Sequence, residues 1–149
     1  MAAEAVLRQE FPVKGGDFAK AGTVACRIKE LLKEIGLDAA TVRRAAIAAY
    51  EAEMNVIMYA DSAEVELSVL SDAVRVVMQD RGPGIPDIPL AMQEGYSTAT
   101  PEMRQRGFGA GLGLPNIKRN SDEFEITSEV GVGTTLRYGV LLRAADAQK

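Results

Sequence analysis

The chain contains no histidine and a single cysteine. The first absence excludes imidazole metal ligands, serine–histidine couples and any phosphohistidine within the chain. The second excludes internal disulfides and cysteine-rich zinc sites. Cys26 alone suits a reducing cytoplasm and reads as a small buried thiol on a helix. No run of about 18 apolar residues occurs, so no segment reads as a membrane span. The N-terminal MAAEAVLRQEF lacks the basic start and apolar centre of a secretory leader. Positive charge is not in excess either: 17 Lys and Arg against 21 Asp and Glu give −4 at pH 7. That balance argues against a nucleic-acid partner, which calls for a basic surface.

What is present fits one globular domain spanning 1–149, with 47% hydrophobic residues and enough length to bury a core. EAVLRQEFPV reads as a first strand. Asp17 reads as an N-cap, and Phe18, Val24, Ile28, Leu31, Leu32 and Ile35 then recur at helical spacing until Gly36. Asp38 or Thr41 opens a longer helix to about Ala60. AEVELSVLSDAVRVVMQD reads as a hairpin turning at Ser71-Asp72, and DIPLAMQE as a short helix. A further helix is expected from Gly113–Pro115, because proline is tolerated in a first turn. EFEITSEV and TTLRYGVLL form a second hairpin about Gly131–Gly133, and the tail 144–149 is expected to fray. The order β-α-α-β-β-loop-α-β-β implies an α+β two-layer sandwich, a mixed, mainly antiparallel sheet with helices on one face.

Three stretches carry chemistry. In AAYEAEMNVIMYA, Glu51 and Asn55 are four apart and share a helix face. Asn55 has poor helix propensity and lies among apolar residues, where an amide needs partners. Glu53 is a further carboxylate in the same turn pair. In DRGPGIPD, Asp80 ends a strand and Gly82 and Gly84 follow, so a carboxylate faces bare backbone against which a flat ring can lie. In RGFGAGLGLPNIKRN, glycine recurs at 107, 109, 111 and 113. This is neither a P-loop nor a dinucleotide fingerprint. Unhindered N–H groups ahead of a helix nevertheless suit phosphate oxygens.

Taken in order, E-x-x-x-N, D-x-G-x-G, the glycine run and G-T-T at Gly133, Thr134 and Thr135 resemble the Bergerat (GHKL) ATP-binding superfamily. The chain looks too short for a transducer domain and has no phosphoacceptor histidine. It therefore resembles the small anti-sigma-factor and switch kinases of the RsbW/RsbT type, the RsbT-type switch kinases in particular. Tyr50 and Glu53 depart from the family's usual box.

The resemblance implies roles residue by residue. Asp80 would bind the adenine amino group, with Thr134 and Thr135 near that end and Gly82, Gly84 and Ile85 giving the ring room. Asn55 would ligate Mg²⁺, and Glu51 would act as the base. Gly107, Gly109, Ala110, Gly111, Leu112 and Gly113 would wrap the phosphates of ATP or ADP, under a lid at about 95–110. Arg104 or Arg106 would touch the γ-phosphate. The implied activity is phosphorylation of a serine or threonine on a STAS-domain antagonist. The implied second partner is a PP2C-type phosphatase, or a sigma factor in the RsbW-like alternative. A catalytically silent, nucleotide-gated binding module is the remaining alternative. Anti-sigma kinases often dimerise and switch kinases often do not, so the resemblance leaves both a monomer and a homodimer open.

Overall fold

In SAEVELSVL every second side chain from Ala63 to Val69 is buried, at 4% exposure or less. A pleated strand with one face on a core dictates this period of two. The computed structural model describes residues 5–94 and 113–142. Within them lie β1 (Ala5–Lys14), α1 (Thr23–Glu34), α2 (Ala39–Tyr59), β2 (Ser62–Leu70), β3 (Ala73–Arg81), α3 (Ile88–Ala91), α4 (Gly113–Arg119), β4 (Glu123–Glu129) and β5 (Gly133–Leu141). The proposed lid, the 144–149 tail and the start of the glycine run lie outside the described residues.

The five strands form one sheet in the order β1-β2-β3-β5-β4. Among the described residues all four pairings are antiparallel, and the expected admixture of parallel strands is not found there. The connections explain this. Two pairs are hairpins, and β1 returns to β2 through two helices, so the chain reverses three times and comes back antiparallel. A parallel pair needs a single crossover.

The inner face packs on the helices through Val65, Leu67, Val74, Val76, Leu136 and Val140, meeting Ile28, Leu32, Val56 and Ile117. Each such side chain contributes about 1.5–3 kcal/mol when fully buried. Tyr138 is buried among them, and its hydroxyl donates to the Ala45 carbonyl of α2 at 3.0 Å. That bond satisfies the phenol and ties helix to sheet, while burial raises its pKa far above the usual phenol range. The outer face is polar: register aligns Glu66, Val77, Arg137 and Glu125 across four strands. Arg75 there pairs with Glu123 at 3.1 Å. It is the solvated side of a half-buried antiparallel sheet.

Two local expectations are corrected. Asp17 does not cap α1: its side chain makes no capping bond, and a 3-10 turn at Phe18–Lys20 intervenes before α1 begins at Thr23. Cys26 is exposed rather than buried, because the inward stripe of α1 runs through Val24, Ala25, Ile28, Leu31 and Leu32. The second helix does start as its sequence suggests, the Asp38 carboxylate accepting the Thr41 N–H at 3.0 Å.

Candidate functional site

Glu51 and Asn55 project from one face of α2 toward the start of α4. A methyl group on Gly113 would stand 3.2 Å from Asn55 Oδ1 and 3.4 Å from Glu51 Oε2. Gly113 is thus the point where the helix-borne pair and the end of the glycine run meet, and a larger residue would fill the space between them. Both side chains are half-buried, so the amide opens into the site rather than lying sealed in the core. Partial burial pushes the Glu51 carboxyl above its ordinary range by desolvation. A carboxylate so disposed holds a proton more readily than a solvated one, as a general base requires.

Glu53 lies two residues on, about 200° round the helix, and serves a different purpose. It is 1% exposed. Its Oε2 accepts the N–H groups of Gly22 and Val24 at 3.1 and 3.3 Å, and its Oε1 that of Ala25 at 3.0 Å. The side chain from α2 thereby caps the N-terminus of α1, where backbone donors lack intrahelical partners and the helix dipole favours an anion. Sequence reasoning missed this role. Gly22, a left-handed N-cap with φ 90°, has no side chain of its own to cap with, which leaves these donors to Glu53.

Asp80 ends the inner face of β3. The Thr134 N–H donates to its Oδ1 at 2.9 Å. Desolvation raises the Asp80 pKa, partly offset by that hydrogen bond. The following loop is strapped to the β4–β5 hairpin. Gly82 N–H donates to the Val132 carbonyl at 3.2 Å, and Gly131 N–H to the Pro83 carbonyl at 2.8 Å. Ile85 N–H donates to Ser128 Oγ at 2.7 Å. Ser128 Oγ also lies 2.9 Å from Thr134 Oγ1 and 3.1 Å from the Gly133 carbonyl oxygen. Ser128 is a second residue the sequence did not reveal, since a serine in an alternating strand carries no distinguishing pattern.

Gly84 has φ +76°, and a Cβ there would collide with the Glu129 carbonyl. Both facts require glycine. Gly133 likewise admits no side chain, because its Cα faces the main-chain carbonyl of Asp80.

The expected site residues therefore divide. The structure gathers Asp80, Gly82, Gly84, Ile85 and Thr134 at one end, and Glu51, Asn55 and Gly113 at the other. Thr135 is separated from them: it pairs with Gln79 and Thr127 on the outer face, so Thr134 alone of the two threonines stands beside Asp80. The alternation of a strand imposes this, since adjacent residues point to opposite faces. Arg104, Arg106, Gly107, Gly109, Ala110, Gly111 and Leu112 lie outside the described residues.

Helix α2 sets the separation of the two ends. A Cβ on Gly82 would stand 3.0 Å from Ala60 Cα, at the helix terminus. At 1.5 Å per residue, Asn55 is about 7–8 Å and Glu51 about 13–14 Å back along the axis. One end offers bare backbone and a carboxylate, suited to a flat ring bearing an amino group. The other offers an amide and a half-buried carboxylate beside the end of the glycine run. This is the arrangement of a nucleotide-binding α+β sandwich.

The comparisons agree with that class. Residues 17–139 match the model of the histidine kinase-like ATPase domain, and the chain belongs to that family. It is 32% identical over 113 residues to the serine/threonine-protein kinase RsbT of Bacillus subtilis (strain 168), covering 73% of this chain and 79% of that protein. Its fold resembles the structure of the RsbU and RsbW domains of Rv1364c from Mycobacterium tuberculosis, with a TM-score of 0.62 and 19% identity. That match covers 93% of this chain, which spans about a third, 33%, of the larger one.

Proposed function

We propose that this chain is an ATP-dependent protein serine/threonine kinase of a partner-switching system, whose substrate is a STAS-domain antagonist. The observation that carries the reading is the meeting of Glu51, Asn55 and Gly113 on one side of α2, with the Asp80 loop packed on the end of the same helix. Likeness to the serine/threonine-protein kinase RsbT supports it.

In this reading the Asp80 carboxylate accepts from the adenine amino group, and Gly82 and Gly84 keep the ring's face clear. The polyphosphate runs back along α2 toward Asn55 and Gly113. Glu51 orients the partner's hydroxyl and takes its proton as the hydroxyl oxygen bonds to the γ-phosphorus. The bond to the β–γ bridging oxygen breaks, and ADP leaves with that electron pair. Among the described residues no cluster of three or more acidic, histidine or cysteine side chains could hold a metal alone. Asn55 fits Mg²⁺ instead as a single oxygen donor, the other ligands being phosphates and water. The ion would supply neutralisation of phosphate charge. Arg104 and Arg106 remain the candidates for touching the γ-phosphate.

Glu53, one of two residues that set the box apart from the family, faces α1 and not the nucleotide. It therefore gives no support to a silent binding module. A PP2C-type phosphatase is the second partner in this reading, and a sigma factor in the RsbW-like variant.

The test incubates the chain with γ-labelled ATP, Mg²⁺ and a purified STAS-domain protein. The unaltered chain transfers label to a hydroxyl. Glu51→Gln retains ATP binding and transfers about 10²–10⁴-fold more slowly. Transfer by Glu51→Gln at the unaltered rate would overturn the assignment of the base.

A further inference from the structure

Helices α1 and α2 leave between them, on their solvent side, a groove of about 1240 Å³ whose lining runs from Leu37 to Tyr50 and Glu51. Its floor is apolar, built from Ala25, Val42, Ala46 and Ile47, and its lining also includes Arg27, Lys29, Lys33 and Arg43. Two carboxylates, Glu30 and Glu51, are the acidic members. Arg27 is already paired with Glu30 at 3.3 Å. Lys29, Lys33 and Arg43 make no ion pair among the described residues. The groove is thus locally cationic on a chain whose net charge is −4. One end opens at Tyr50, which is 41% exposed and lies over Gly22, immediately beside the proposed base.

We propose that this groove docks an acidic amphipathic segment of the protein substrate and so delivers its hydroxyl to Glu51. The apolar side of the segment covers Ala46 and Ile47, while its carboxylates face Lys29, Lys33 and Arg43. Charge selects this occupant: a basic or neutral segment would leave three cations unmatched, and complementary potentials set partner choice and encounter rate. The identity of the occupant rests on the kinase reading above; the charge preference of the groove does not.

Cys26 lines the groove, is exposed, and is the chain's one cysteine, so its alkylation reports occupancy directly. Two synthetic helix-forming peptides serve as probes, each with a leucine stripe and one serine. One carries glutamates on its polar face and the other lysines. At low salt the glutamate peptide should slow maleimide labelling of Cys26 about five-fold or more, with the effect fading at high salt. The lysine peptide should not slow it. The variant Lys29→Glu/Lys33→Glu/Arg43→Glu should lose protection by the glutamate peptide. With a STAS-domain acceptor, the same variant should raise KM about ten-fold or more and leave kcat and ATP affinity unchanged.

Equal protection by the two peptides, or an unchanged KM in the triple variant, overturns the docking proposal while leaving the kinase reading intact. Protection of Cys26 that rises with concentration of the chain alone also overturns it, since the occupant is then a second copy. Charge-selective protection with no phosphate transfer to any hydroxyl supports the groove and overturns the kinase reading instead.

Discussion

Replacing Glu53 by glutamine tests the most unexpected contact in the molecule. The carboxylate is 1% exposed and receives three backbone N–H groups from the start of α1. A glutamine can keep its oxygen at the Oε2 position, where Gly22 and Val24 donate. Its NH₂ group must then face the Ala25 N–H, donor against donor. Leaving that buried donor unsatisfied costs about 1–3 kcal/mol. The two surviving bonds become neutral, and the anion at the helix N-terminus is lost, which together remove about 1–2 kcal/mol more. The sum is about 2–5 kcal/mol, a large share of the 5–15 kcal/mol typical of a domain. At about 2–4 °C per kcal/mol for a chain of this size, Tm should fall by about 4–20 °C. Thermal unfolding followed by circular dichroism measures this, with ADP titration on the folded variant as the companion readout. Nucleotide affinity should hold, because Glu53 faces α1. A Tm within about 2 °C of the unaltered chain would refute the reasoning, and a lost ADP site with unchanged Tm would place Glu53 in the nucleotide site instead.

Glu51→Gln should unfold at a higher temperature than the unaltered chain at neutral pH. Burial raises the folded-state pKa above the ordinary 4.5, so ionised Glu51 destabilises the fold above that range, and the advantage should vanish in melts below pH 4.5. By the same sign, phosphate transfer should fall as acid protonates Glu51, with its midpoint above 4.5; a midpoint at or below that value would contradict the burial. Asp80→Asn should weaken ADP about 10–100-fold in calorimetry and blunt discrimination against guanine nucleotides, as loss of a charge-assisted bond implies. Asn55→Ala should abolish the Mg²⁺-dependent part of ATP affinity and leave affinity in chelator unchanged; a variant that keeps the unaltered chain's full gain in affinity from the ion would remove Asn55 from that role. Gly84→Ala forces a Cβ at φ +76° onto the Glu129 carbonyl, so it should destabilise by more than about 1 kcal/mol in urea unfolding and weaken ADP as well.

Much of this architecture was legible before any coordinates. The alternation in SAEVELSVL and the paired runs around Ser71-Asp72 and Gly131 placed both hairpins, because period two and turn residues are local properties. The Glu51–Asn55 pair was legible for the same reason, four residues being one helical turn. Partnerships across the chain were not. Glu53 answers to Gly22, 31 residues away, and no local pattern announces that. Asp17 misled because a good capping residue was followed by apolar spacing that ran unbroken across a 3-10 turn. Cys26 misled because composition gives a residue's usual depth, whereas its phase on α1 decides its actual one. Thr135 was an error of one position in a strand, which is an error of face.

The hydrogen bonds between the Asp80 loop and the β4–β5 hairpin have a thermodynamic consequence for recognition. Val132, Ser128, Pro83 and Thr134 already hold the main chain that would receive the purine. The entropy of arranging that surface is lost when the polypeptide folds and need not be lost again on association. Adenosine without any phosphate should therefore bind with a measurable affinity of its own. The phosphates would then add an increment that depends on magnesium, and the base a share that does not.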